Sequence, residues 1–158
     1  MNELIIKKAT FDDFRIIQFY LKKFGLDDVN IEFEQFTAAT IKNTMIGFGR
    51  IKPYTKLYEL SSVGVLENYR SRGIGEKLIN SIIEIFPSND IWITTKIPAY
   101  FKRFGFCICH TPPLDIQNKQ KYLCSKLQSN LNNTHCMLLK KIRKNEVQIP
   151  VTGTNLSL

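Results

Sequence analysis

Apolar and polar residues alternate through LIIKKA, residues 4–9, and this predicts a strand. The period then changes in TFDDFRIIQFYLKKFG, where Phe14, Ile17, Leu21 and Phe24 recur at helical spacing. Thr10 is placed to cap that helix, Asp12 and Asp13 fall where its dipole favours acids, and Gly25 supplies the stop. LDDVNIEFEQ is polar and weakly patterned, a loop or a short helix. FTAATI and TMIGFGRI read as two strands around Lys42-Asn43, with Gly47 and Gly49 hinting at a bulge or a close backbone approach. KLYELSSVGVL is the next strand. GEKLINSIIEIF is an amphipathic helix with Leu78, Ile79, Ile82, Ile83 and Phe86 inward, ended by Pro87 and Asn89-Asp90. IWITTK is a short buried strand. PAYFKRF is a short helix with Pro98 at its first position and Gly105 beyond its end. FCICH is a strand, residues 112–133 are loop plus helix, and CMLLKKI is a last strand.

The resulting order, β-α-β-β-β-α-β-α-β-α-β, predicts an α/β (α+β) fold with a mixed central sheet flanked by helices. There is no internal repeat or linker, so residues 1–144 form one domain and residues 145–158 a C-terminal extension.

Composition narrows the function classes. With 158 residues, 44% of them hydrophobic, the chain is long enough to bury a real core. No apolar run approaches the roughly 20 residues of a membrane span, and the N-terminus lacks the pattern of a signal peptide. The expectation is a soluble cytoplasmic protein. Cys107, Cys109, Cys124 and Cys136 form no C-x-x-C pair and no zinc spacing, so reduced thiols and no metal are expected. A net charge of +8 favours an acidic partner. The basic residues are scattered and no nucleic-acid recognition motif is present, so neither nucleic acid nor membrane is expected as a partner.

The densest chemistry lies in NYRSRGIGEKL, residues 68–78, between the strand ending SSVGV and the helix that follows. Glycines there remove Cβ atoms, so main-chain N–H groups can close on an anion, and a helix N-terminus adds unpaired donors and the positive end of its dipole. Arginines add bidentate capacity for phosphate oxygens. The P-loop string G-x-x-x-x-G-K-[ST] is absent, and Gly73 and Gly75 lack the third glycine of the dinucleotide fingerprint.

What fits is R-x-x-G-x-G, formed by Arg70, Ser71, Arg72, Gly73, Ile74 and Gly75. Within LSSVGVLENYRSRGIGEKLI, this resembles the acetyl-CoA pyrophosphate loop of the GNAT acyltransferase superfamily. PAYFKRFGF is similar to that family's second hallmark, a short helix ending in a glycine–aromatic pair. The separation of the two blocks and the element order over residues 1–140 are also similar. The resemblance implies the GNAT fold, with a mostly antiparallel sheet, and direct transfer of an acetyl group from acetyl-CoA to a primary amine without an acyl-enzyme. It implies that the main chain of Val63, Gly64 and Val65 meets the pantetheine arm. The amides from Arg72 to Gly75 would hold the pyrophosphate, with Arg70, Ser71 and Arg72 assisting. Lys77 either reaches a phosphate or is an exposed helix lysine.

Glu59, on the strand leading to this loop, matches a position where several GNAT families place a glutamate that activates the amine. The alternative is an ordinary edge glutamate. Many GNAT families carry a tyrosine four residues before the glycine of the second hallmark. That position is Phe101 here, and Tyr100 precedes it, about 100° round a helix. Tyr100 is the candidate acid for the leaving thiolate, with water or a backbone dipole as alternatives and a packing or substrate-contacting role also open.

AYFKRFGFCICHTPPLDIQNKQKYLCSKL and THCMLL resemble the N-acetylglutamate-synthase-like branch, although Leu127 stands where that branch often has a second cysteine. This implies an amino-acid-like acceptor such as glutamate. Arg50, Lys52, Lys56 and Lys96 are cations near the expected acceptor side, and Arg50 and Lys96 are the candidate substrate ligands; the alternative is plain surface charge. Two other readings stay open: transfer to a protein N-terminus or lysine, and a non-catalytic module that holds acyl-CoA. A monomer or homodimer is expected.

Overall fold

Seven strands form one sheet in the order β1-β2-β3-β4-β5-β7-β6. They are β1 (Leu4–Lys8), β2 (Phe36–Ile41), β3 (Thr44–Pro53), β4 (Tyr58–Val65), β5 (Asp90–Thr95), β6 (Cys107–Ile108) and β7 (His135–Lys140). Between them lie α1 (Phe11–Lys23), α2 (Ile74–Ile85), α3 (Pro98–Lys102) and α4 (Leu114–Lys126). The structure, a computed structural model, describes residues 3–126 and 133–142. The extension assigned to residues 145–158 lies outside the described residues.

The element order is the one the residue pattern predicts. Every strand pair is antiparallel except β4–β5, which is parallel. The FCICH strand shrinks to Cys107–Ile108, both exposed, because β6 is the edge of the sheet and pairs only with β7.

Alternation along the central strands sets α1 against one face and α2 against the other. Phe36, Ala38 and Phe48 pack with Ile17 and Leu21 of α1. Ala39, Ile46 and Leu60 pack with Leu78, Ile79 and Ile82 of α2 on the other face, joined by Ile91 and Ile93 of β5. Each fully buried Leu, Ile or Phe contributes about 1.5–3 kcal/mol. The start of α1 is fixed by a reciprocal capping box: Thr10 Oγ1 accepts from the Asp13 amide at 3.2 Å, and Asp13 accepts from the Thr10 amide at 2.8 Å.

Two local devices open the sheet at its centre. Register shifts between Phe48 and Arg50 of β3, because β4 spends one more residue on the same span. Ser62 takes up that bulge at φ 50°, in the left-handed region, and its hydroxyl donates to the Asp27 carbonyl at 2.8 Å. Beyond the bulge β4 leaves β5. The two strands share a single register pair, Glu59 with Trp92.

Candidate active site

The divergence of β4 from β5 creates a cavity of about 1130 Å³. One wall is β4 from Leu60 to Val65, and the opposite wall is β5 from Ile93 to Thr95. Because β5 no longer pairs with it, the β5-facing main-chain groups of β4 past the bulge have no strand partner there.

At one end stands the glycine turn. Ser71 and Gly73 take φ values of 62° and 73°, which bend the chain sharply into α2. Gly73 is the N-cap of α2 and makes no side-chain cap bond. The first helical bond recorded at this end is Lys77 N–H to the Gly73 carbonyl at 3.1 Å. The amides of the first turn are therefore uncapped donors at the positive end of a 12-residue helix, and Gly73, Ile74 and Gly75 line the cavity. A Cβ at Gly75 would lie 3.1 Å from Tyr100 Oη, so the phenol occupies the space a side chain would take.

At the other end an ion cluster is built from four elements. Glu59 is fully buried; Oε1 accepts from Lys119 Nζ at 2.6 Å and Oε2 from Tyr54 Oη at 2.9 Å. Lys119, on α4, also donates to Ser61 Oγ at 3.0 Å. Asp27 accepts from Lys52 Nζ at 2.7 Å and from the Val29 amide at 3.0 Å, with Lys119 Nζ at 3.4 Å. Burial pushes the Asp27 carboxyl up, but Lys119, Lys52 and the Val29 amide outweigh it and hold the group below its ordinary range. Burial lowers Lys52. Burial and the Glu59 carboxylate raise the Tyr54 phenol, so it stays a donor.

The sequence-derived candidates fall in different places. Val63, Gly64, Val65, Arg70, Ser71, Gly73, Ile74, Gly75, Lys96 and Tyr100 line the cavity. The Arg70 side chain turns back, its Nε donating to the Val65 carbonyl at 2.9 Å and its guanidinium lying over Phe24. Arg72 is not among the lining residues; its guanidinium stacks on Tyr69. Lys77 is exposed on α2, away from the lining.

Arg50 needs correction as a substrate ligand. It is fully buried behind β3, where it donates to Gln35 and to the carbonyls of Val29 and Asn30, because the chain folds residues 29–35 over it. Glu59, the candidate base, is not among the lining residues; its carboxylate is bonded to Lys119, which with Ser61 lines the cavity.

Tyr100 is half-buried, and burial raises its phenol above the ordinary value while Arg103 opposes. Phe101, at the usual tyrosine position, packs edge-on against Phe106 in the core. Asp27, Ser61 and Lys119 escaped the sequence reading. Lys119 left a trace there, a charge three residues after buried Ile116 on the inward stripe of α4. Asp27 sits in an unpatterned polar stretch and left none.

The chain matches the family model described as Acetyltransferase (GNAT) family over residues 6–106. An uncharacterized N-acetyltransferase from Chlorobaculum tepidum is 31% identical over 88 residues, 53% of this chain and 57% of the relative. The match thus spans little more than half of that relative's length. Among solved structures, N-acetylglutamate synthase from Neisseria gonorrhoeae, complexed with coenzyme A and N-acetyl-glutamate, superposes with a TM-score of 0.71 at 16% identity. The superposition covers 90% of this chain and 36% of that one. The ribosomal-protein-S18-alanine N-acetyltransferase from Escherichia coli gives 0.59 at 13% identity, covering 99% and 100%. At these identities the likeness is one of fold.

Proposed function

The chain belongs to the acetyltransferase (GNAT) family, and from that premise we propose that it moves an acetyl group from acetyl-CoA to the primary amine of a small metabolite. The observation that carries this reading is the uncapped N-terminus of α2 opening into the gap between β4 and β5. Free amides at a helix N-terminus suit a diphosphate, and an unpaired strand edge suits the amides of a pantetheine arm. Coenzyme A would lie with its diphosphate on Gly73, Ile74 and Gly75 and its arm along Val63–Val65.

Transfer is direct. The neutral amine nitrogen attacks the thioester carbon, the tetrahedral adduct loses its remaining extra nitrogen proton to solvent, the oxyanion collapses, and the carbon–sulfur bond breaks. Tyr100, whose phenol burial keeps protonated, is placed to give its proton to the leaving thiolate and regain one from solvent. The ammonium proton of the acceptor leaves toward the buried pair. Lys119 Nζ passes a proton to Glu59 Oε1 and takes one from the acceptor through Ser61 Oγ, so Glu59 ends protonated and Lys119 stays charged. Glu59 thus serves as the terminal proton acceptor, through Lys119.

The acceptor end is walled by Asp27, Ser61, Lys119 and Leu123, a setting that suits a small molecule of amino-acid size. By resemblance, glutamate is the first to try. The two enzymes of like fold act on different acceptors by name, one an amino acid and one a ribosomal protein, so assay decides between them. Thiol release from acetyl-CoA is measured against amino acids, polyamines and peptides, with calorimetry for coenzyme A alone. Turnover with a small amine is expected. Turnover confined to peptides would replace the acceptor assignment. Coenzyme A binding with no turnover would make the protein a holding module.

A further inference from the structure

We infer that Cys109 and Cys136 are a modification site: a peroxide joins them in a reversible disulfide, and the bond loosens the seat of α4 on the sheet. The register of the last two strands brings them together. β6 and β7 pair as Cys107 with Leu138 and Ile108 with Met137. The next pair in that register is Cys109 with Cys136, and the Cys109 amide donates to the Cys136 carbonyl at 2.9 Å. Residues directly opposite on antiparallel strands present their side chains on one face. Cys109 and Cys136 accordingly pack into the same small cluster, with Trp92 and Ile116. All four cysteines are free thiols.

Opposite residues of an antiparallel pair have Cα atoms about 4.5–5.5 Å apart, inside the roughly 4.4–6.8 Å that a disulfide spans. Their Cβ atoms lie about 4.5–5.5 Å apart, whereas a disulfide holds them at about 3.8 Å. Closure therefore draws the two strands together by about 1 Å. β6 is free to make that approach, since it is two residues long, exposed, and paired with β7 alone. A bond closed against such resistance is strained and readily reduced, which suits a switch rather than a permanent cross-link. The other thiols are worse placed. Cys107 is diagonal to Cys136, about 7–8 Å away. Cys124 is buried on α4, where its sulfur lies 3.5 Å from Thr134 Oγ1.

Half-buried Cys109 meets the oxidant first; Cys136 is buried, and burial pushes its thiol up. The Cys109 sulfur attacks one peroxide oxygen and the oxygen–oxygen bond breaks, leaving a sulfenic acid and one water. The Cys136 sulfur then attacks the Cys109 sulfur. The sulfur–oxygen bond breaks, and the hydroxyl leaves as a second water with the Cys136 proton. Two thiols have lost two electrons and the peroxide has gained them. The departed proton has a structural consequence. In the reduced protein Cys136 Sγ–H donates to Gln120 Oε1 at 3.2 Å, while Gln120 Nε2 donates to the Thr134 carbonyl at 2.8 Å. A disulfide has no hydrogen to give, so Gln120 loses one of the two bonds that seat α4 on β7 and the turn before it. Its neighbour in the chain is Lys119, the partner of Glu59, so the loss falls one residue from the buried ion cluster.

The test treats the full chain with hydrogen peroxide, then digests it without reductant. Wild type and Cys107→Ser should both yield a fragment linking Cys109 to Cys136, released by dithiothreitol. Cys109→Ser and Cys136→Ser should yield none. Amide hydrogen exchange over residues 114–126 should quicken about fivefold in the oxidised wild type, as the loss of one hydrogen bond implies, and should return to its former rate on reduction. In Cys109→Ser, which folds with Cys136 still bonded to Gln120, peroxide should leave that exchange unchanged. A link from Cys109 or Cys136 to Cys107, to Cys124 or to a second chain overturns the inference. So does oxidation of Cys109 to a sulfinic acid with no link formed, and so does unchanged exchange in α4 of the linked protein. None of these readouts depends on turnover, so the pair stands or falls apart from the transferase reading.

Discussion

Replacing Glu59 by glutamine keeps the shape of the side chain and deletes one of the two carboxylates in the buried cluster. Glu59 Oε1 stands 2.6 Å from Lys119 Nζ, and both side chains are almost wholly shielded from water. At that separation and an effective dielectric constant of about 20, the bare attraction is about 6 kcal/mol. Desolvation of the two ions offsets much of it, so the net worth of the intact pair is small. The cost of breaking it is not small: a buried charge left without its partner typically costs about 3–5 kcal/mol. For a chain of this size that corresponds to a fall of about 6–20 °C in Tm. The same argument makes a second prediction within the first. Pairing Glu59→Gln with Lys119→Met removes the stranded charge, so the double variant should be more stable than the sum of the single losses implies, by about 2 kcal/mol or more. Urea unfolding followed by circular dichroism measures all four corners of this cycle. A Glu59→Gln protein within about 1 kcal/mol of the wild type, or strictly additive losses, would refute the account of the cluster. Turnover of the Glu59→Gln variant, measured under conditions where it remains folded, should also fall. Unchanged turnover would remove Glu59 from the proton path.

Three further outcomes follow from particular atoms. Tyr100→Phe removes only the hydroxyl facing Gly75; kcat should drop by about 10²-fold or more with coenzyme A affinity retained, and an unchanged kcat would take the phenol out of the leaving-group step. Gly49→Ala places a Cβ 2.4 Å from Ile82 Cδ1, so the end of that buried side chain must turn and stability should fall by about 1 kcal/mol; equal urea midpoints would refute a tight fit of Ile82 over Gly49. Asp27 titrates below its ordinary range in the folded protein. Its contribution to stability is therefore present above the unfolded carboxyl value of about 3.9 and is lost as pH falls through the depressed folded value. Asp27→Asn should flatten the acid limb of a stability–pH curve, and an unaltered limb would contradict the assignment.

The residue pattern made the element order legible because secondary structure depends on neighbours. Thr10, Asp13 and Gly25 bracket α1 within the chain's own local geometry. The turn at residues 70–75 was readable for the same reason: left-handed backbone at Gly73 and free amides beyond it are properties of six consecutive residues. Lys96 and Tyr100 reach the cavity because they follow β5 directly. Which tyrosine-like position would present a hydroxyl was less legible. Phe101 turns into the core and Tyr100 toward Gly75, a choice made by the packing of α3 against Phe106.

By itself, then, the chain's order of residues determined the strands, the helices and the uncapped N-terminal end of α2, since each is written in short-range spacing and backbone preference. The tertiary structure alone decided the ion cluster at the other end of the cavity. Lys119 meets Glu59 across 60 positions and Lys52 meets Asp27 across 25, and a charge carries no mark of the partner it will find at such separations. Read as a string, Arg50 and Glu59 are strand charges marked only by position and, for Glu59, by resemblance, with no sign of the partners they meet. Only when α4 and residues 26–32 close over β3 and β4 does burial turn them into one ion cluster. The low dielectric created by that closure, rather than the identity of any single residue, gives the charges their consequence.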